Sequence, residues 1–187
     1  METASRPLSV TVEEYLAAEE HSDIRHEYIA GNIYAMAGAS DRHNLISGNI
    51  YAALHSHLRG KTCRVFMSDL KLRVQAGEGT VFYYPDLMVV CDSSDRDRFF
   101  KRFPKVLIEV LSETTERTDR GEKFLTYTQL DSLDEYVPIS QDRTEITVFR
   151  RANGWKAELS ARPEDILDLR SLQFSMALAA VYDGVEW

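Results

Sequence analysis

Two carboxylates stand inside runs that otherwise have the composition of buried strands. Glu109 lies in Val106-Leu107-Ile108-Glu109-Val110-Leu111, and Asp86 lies in Tyr83-Tyr84-Pro85-Asp86-Leu87-Met88-Val89-Val90. A strand that is apolar at successive rather than alternate positions is covered on both faces. An ionised carboxylate in such a place must find hydrogen bonds or a cation, or take up a proton. Pro85 adds a second constraint. It has no N–H to give to a ladder, so the strand is interrupted or splayed beside Asp86. Splayed neighbouring strands leave a cleft into which side chains converge. Either acid alone is equally well explained by backbone amides or an arginine partner. Two of them, on neighbouring runs, favour a shared site for a hard cation. Magnesium takes oxygen ligands, keeps several waters and meets phosphate readily.

The rest of the chain supplies elements to frame that cleft. Thr11 and Glu14 form a capping-box pattern opening a helix over residues 12–18. Ala30-Gly31-Asn32 separates His26-Glu27-Tyr28-Ile29 from Ile33-Tyr34-Ala35-Met36, a hairpin signal. A long helix follows, which Asp41 can cap. Ile46, Ile50, Leu54 and Leu58 recur every four residues, Leu45 and Ala53 widen the stripe, and Gly60 ends it. Cys63, Val65 and Met67 alternate with polar residues, and Leu70, Leu72 and Val74 alternate in the opposite phase. That flip predicts a bulge near Ser68-Asp69. Gly77-Glu78-Gly79 reads as a turn. A helix is predicted over 119–130 with Asp119 as its cap, strands over 135–140 and 144–150, an extension over 154–160, and a last helix over 175–182. The order predicts an α/β fold with a mixed central sheet flanked by helices, and residues 1–187 as a single domain.

Composition narrows the partners. The net charge of −8 argues against a protein that coats nucleic acid, but not against a nuclease, whose carboxylates raise the negative count. Arg96, Arg98, Lys101, Arg102 and Lys105 gather locally, reading as a solvated loop before a DNA contact. Tyr83-Tyr84 and Phe99-Phe100 read as core before base-stacking surface. Cys63 and Cys91 sit in apolar segments and are expected as buried thiols, a disulfide being the alternative. Residues 1–10 lack a secretory apolar stretch, and no run approaches membrane-spanning length, so a cytoplasmic protein without a membrane partner is expected. There is no Gly-rich phosphate loop, dinucleotide fingerprint or nucleophile elbow.

Several motifs together resemble a large bacterial family of restriction endonuclease type, within the restriction-endonuclease-like, PD-(D/E)XK, nucleases. They are Tyr84-Pro85-Asp86, Ile108-Glu109-Val110-Leu111-Ser112, Asp119 to Lys123, Tyr127, Glu135-Tyr136-Val137, Glu27-Tyr28-Ile29-Ala30-Gly31 and His43-Asn44. The resemblance runs from residue 8 to residue 182. It implies a restriction-endonuclease-like fold and hydrolysis of DNA phosphodiesters. Asp86, Glu109 and the main-chain carbonyl of Val110 would hold Mg²⁺, for which Mn²⁺ can substitute. It also implies a homodimer, since two sites cut two strands; Trp155 and Trp187 hint at an interface.

The sequence departs from the superfamily pattern at Leu111, where the (Asp/Glu)-x-Lys element calls for lysine. A cation near the attacking water stabilises the charge that develops on the phosphate. Lys123, a turn into the following helix, and Lys71, on the strand before Asp86, are the candidates to replace it. Glu27 is a candidate third acid, as ligand or structural acceptor. His43 reads as a cap-region side chain before a base, and Asp69 as turn chemistry before a cleft residue. His21, His26, His55 and His57 belong to no constellation. Two other functions fit: a non-catalytic interaction or nucleic-acid-binding module on the same fold, and a metal-dependent hydrolase of small phosphate esters.

Overall fold

The computed structural model describes residues 9–77, 79–112 and 119–187. The readings of residues 1–8, of Glu78 in its turn and of the Asp119 side chain as a cap lie outside the described residues. Helix α1 (Val12–Glu19) begins with the predicted capping box. Thr11 Oγ1 accepts the Glu14 N–H, and Glu14 accepts the Thr11 N–H at 2.9 Å. Strands β1 (His26–Ile29) and β2 (Asn32–Ala35) form the predicted hairpin. Its two-residue turn has positive φ at Ala30 and Gly31. Gly31 is required there twice over, because a Cβ would also lie 2.6 Å from that of Ser9. Helix α2 (Asp41–Leu58) buries Ile46, Ile50, Leu54 and Leu58. Its cap is Ser40, whose hydroxyl accepts the His43 N–H, not Asp41. Leu45 faces solvent, outside the buried stripe.

The strands that follow are β3 (Arg64–Met67), β4 (Lys71–Ala76), β5 (Gly79–Tyr83), β6 (Leu87–Val90), β7 (Phe100–Lys101) and β8 (Pro104–Leu111). They divide between two sheets. One has the order β2-β1-β5-β4-β7. The other runs β11-β10-β9-β8-β6-β3, with β9 (Glu135–Ser140), β10 (Ile146–Arg150) and β11 (Ala157–Ser160). The bulge predicted at Ser68-Asp69 is instead a crossing from the second sheet to the first. Ser68 takes a left-handed φ of 46° at this corner. Alternation reverses because the two strands are buried against different layers, which a local pattern cannot distinguish from a bulge. The chain crosses back at Tyr84-Pro85-Asp86, where the proline ends one ladder before the next begins.

The second sheet is covered on both faces. Val106, Ile108 and Val110 of β8 point into a core shared with α2, while Leu107 points into the layer between the sheets with Leu72, Val74, Val81 and Tyr127. Helix α1 covers the far side of the first sheet through Tyr15, Tyr28 and Phe82. The predicted helix over 119–130 is shorter: a π-helical turn (Asp119–Lys123) runs into α3 (Phe124–Tyr127). The helix expected over 175–182 is confined to α4 (Leu178–Val181). Residues before it form β13 (Phe174–Ala177), paired with β12 (Ile166–Leu169). That partner was not visible in the local pattern, so the apolar run read as helical.

The cysteines correct another expectation. Cys63 and Cys91 are half-buried and joined in a disulfide rather than free. The β3–β6 register pairs Arg64 with Val90, and one further step sets the cysteines opposite each other, with Cα atoms 4.0 Å apart. Among the described residues no helix is long and apolar enough to cross a membrane.

Candidate active site

Asp86 stands where the chain re-enters the second sheet, and Glu109 stands near the end of β8. The ladder pairs Leu87 with Ile108, so one further step along it sets Asp86 against Glu109. Asp86 Oδ2 accepts the Val110 N–H at 2.7 Å, as though the carboxylate continued the ladder that Pro85 interrupts. Its other oxygen lies 3.1 Å from His43 Nε2. The Asp86 carbonyl accepts the Ser68 N–H at 3.0 Å, tying the two sheet crossings together.

Glu109 has the parity of Leu107 and faces the layer between the sheets. Tyr127 donates its hydroxyl to Glu109 Oε1 at 2.7 Å. Burial, then the neighbouring Glu109 charge, pushes the Tyr127 pKa well above its ordinary value, so the phenol remains a donor. Lys123 Nζ lies 3.0 Å from Glu27 Oε1 and 3.7 Å from Glu109 Oε1. It also sits over the Tyr83 ring, 5.3 Å from its centre. The side chains of Lys123, Glu27 and Glu109 are 9%, 16% and 5% exposed. Two carboxylates therefore flank one ammonium in a poorly solvated place, with Asp86 on the neighbouring strand adding to an excess of negative charge suited to a divalent cation.

The donor set fits a hard cation. Leu111 directs its carbonyl to β9, where it accepts the Gln141 N–H. Val110 is turned the other way, toward β6, as its bond to Asp86 shows. The N–H and C=O of a strand residue point to the same side, so the Val110 carbonyl faces the gap in which Asp86 and Glu109 stand. Two carboxylates and a carbonyl, with water completing the shell, match what magnesium accepts. Among the described residues no three His, Cys, Asp or Glu side chains form a metal cage by themselves.

Of the residues singled out in the sequence, Asp86, Glu109, Val110, Glu27 and Lys123 come together. Lys71 does not join them. Its Nζ lies over the Tyr84 ring at 5.4 Å, and burial holds its pKa below the usual lysine range, partly offset by Glu19. Asp69 is exposed and pairs with Arg25. Tyr83 and Tyr84 are buried, as core residues. Trp155 is half-buried, with Arg151 against its ring, whereas Trp187 is exposed beside Tyr182. His43 and Tyr127 also reach the site; the sequence presents His43 as a cap-region side chain before a base, and Tyr127 only as a family-motif residue. A signal for His43 was present: positions 43, 46, 50 and 54 share one helix face, so His43 extends the buried stripe toward the strand ends.

A family model described as "Putative restriction endonuclease", Uma2, matches residues 12–180. An uncharacterized Synechocystis protein is 36% identical over 175 residues, covering 92% of this chain and 91% of the relative. A second from the same organism is 32% identical over 135 residues, covering 71% and 75%. A crystal structure described as a putative nuclease belonging to DUF820, from Anabaena variabilis, superposes with a TM-score of 0.76 at 17% identity. It covers 95% of this chain and 99% of that one, so the restriction-endonuclease-like fold is shared along almost the whole length. The chain, matched over nearly all its length, belongs to the Uma2 family.

Proposed function

We propose that this chain is a metal-dependent endonuclease that hydrolyses DNA phosphodiesters. The observation that carries the reading is Lys123. Leu111 leaves the strand without its lysine, and Lys123 brings an ammonium from the helix to within 3.7 Å of Glu109. In this reading Asp86, Glu109 and the Val110 carbonyl hold Mg²⁺, or Mn²⁺ in its place. Bound there, the ion would polarise the phosphate and make water a stronger nucleophile. Glu27, 3.0 Å from its Nζ, aims Lys123. Lys123 orients the attacking water and offsets negative charge on the phosphate oxygens as the water oxygen bonds to phosphorus and the ester oxygen departs. Cutting both strands of a duplex calls for two copies, hence a homodimer.

One observation favours the non-catalytic alternative. Asp86 and Glu109 already accept bonds from protein donors. Each carboxylate oxygen has more than one lone pair, so this leaves room for a ligand but does not require one. The test is cleavage of circular and linear DNA, and of RNA, with Mg²⁺ or Mn²⁺, beside calorimetric metal titration. We expect metal-dependent cutting that Asp86→Asn and Lys123→Ala both abolish and Lys71→Ala retains. Undiminished cutting by clean Asp86→Asn protein sinks the assignment. No cutting together with no metal uptake establishes the non-catalytic module.

A further inference from the structure

The loop from Cys91 to Phe103, between β6 and β8, carries three exposed arginines and three aspartates, of which Asp95 is buried, Asp97 half-buried and Asp92 exposed. Asp92 accepts the Ser94 N–H at 2.8 Å. Asp95, with a fully buried side chain, accepts the N–H groups of Arg102 and Phe103 at 2.6 and 2.9 Å. Asp97 accepts those of Phe99 and Phe100 at 2.8 and 3.2 Å. The three aspartates thus brace the loop through its backbone N–H groups, Asp95 from inside. Lys101 is also turned inward, donating to the carbonyls of Asp95 and Asp97 and lying over the Phe66 ring. Arg96, Arg98 and Arg102 remain outside. Between and beside them Phe99 and Phe103 are 56% and 40% exposed, with Arg102 stacked on Phe103.

Open grooves flank this ridge. One is bounded by Arg96 and Arg98 on the loop side and by Met67 and Asp69 on the other. Those two residues bracket Ser68, the donor to the Asp86 carbonyl. The other groove runs between Arg102, Phe103 and Arg73 on one side and Gln129 and Ser132 on the other.

Guanidinium groups pair with phosphate oxygens, and an exposed ring stacks on any base that is free of a duplex. We propose that this ridge binds an unpaired DNA strand, Arg96, Arg98 and Arg102 taking backbone phosphates while Phe99 and Phe103 stack its bases. The charge complementarity is local: in a chain of net charge −8 this loop exposes three guanidinium groups, while Asp95 is buried and the Asp92 and Asp97 carboxylates are engaged by backbone N–H groups. The inference rests on the nuclease reading and adds to it a strand-holding surface outside the carboxylate site.

The test uses the full chain in EDTA, so that no DNA is consumed, and fluorescence anisotropy with a labelled single strand and the matching duplex over a range of NaCl. The single strand is expected to bind more tightly. Arg96→Ala with Arg98→Ala should reduce the slope of log affinity against log salt by about 1.4, at roughly 0.7 per phosphate contact. Phe99→Ala should weaken single-strand binding about 5- to 100-fold and leave the salt slope unchanged. Arg162→Ala, on an exposed arginine elsewhere, should change neither. Equal binding by the intact chain and the loop variants overturns the proposal while leaving the nuclease reading standing. Tighter binding of duplex overturns it as well. An intact chain that binds neither form overturns both readings. All these substitutions are on the surface, and unchanged melting temperatures verify their folding.

Discussion

Two buried carboxylate–cation clusters lie in the six-stranded sheet, and they are built differently. At the start of β9, Glu135 accepts from Arg150 Nε, from the Arg170 and Ser171 N–H groups and from the Ser171 hydroxyl. Two of these donors are backbone, and they tie the residues after β12 to the sheet. Near the end of β8, Glu109 meets the Tyr127 hydroxyl and the Lys123 ammonium, both on the short helical segment. Both clusters contain a nearly inaccessible acid. At Glu135 the described donors include two main-chain groups that cannot leave without unfolding the region, while those described at Glu109 are side chains, which can rearrange around a ligand. A buried charge is therefore not itself a mark of function; the kind of group that satisfies it is the better guide.

The largest expected effect tests the closed cluster. Glu135→Ala takes from buried Arg150 one of its two carboxylate partners and leaves the Arg170 and Ser171 N–H groups without their acceptor, and denaturant unfolding should show a loss of about 3–5 kcal/mol. The matching change in the open cluster, Glu109→Gln, should cost under about 1 kcal/mol, since it relieves repulsion with Glu27, while calorimetry should show that metal uptake is lost. Equal stability losses in the two variants would erase the distinction.

A third carboxylate, Glu19, lies outside both clusters, bonded by the His26 N–H, the His26 ring and the Tyr84 hydroxyl. Burial pushes its pKa up, but these bonds outweigh burial and hold it below 4.5. Its folded pKa being depressed, its contribution to stability is present above the unfolded value and fades as pH falls through the folded one. Glu19→Gln should cost about 1–3 kcal/mol at pH 7. Below about pH 4.5 the intact chain should approach the variant, as thermal melts across pH would show. A constant gap at every pH refutes the assignment. Tyr127→Phe should cost about 1 kcal/mol of stability, with metal affinity altered more than fold.

Local pattern disclosed what depends on neighbours in sequence. The Thr11–Glu14 box, the turn at Gly31, the stripe of α2 and the interruption at Pro85 were all visible as side-chain spacing. What depends on strand partners was not. The flip between Met67 and Leu70 could not reveal two sheets, and β13 read as helix because β12 went unrecognised. Cys63 and Cys91 become neighbours only through the β3–β6 register. The acids at 86 and 109 announced themselves because their apolar surroundings made them anomalous. Tyr127 entered only through the family motifs, since a tyrosine in a half-apolar helix is ordinary. Glu135 was noticed as part of a family motif, but its closed network depends on residues 35 and 36 positions away.

The placement of Asp86 at a crossing between sheets makes the site a reporter of how those layers lie on each other. Leu72, Val74 and Val81 fill the space between the sheets and are almost fully buried. Changing their bulk would shift the seam at which Asp86 faces Glu109, without touching either acid. Under the proposed reading, the geometry of the metal site would then change with interior volume, the two acids themselves unaltered.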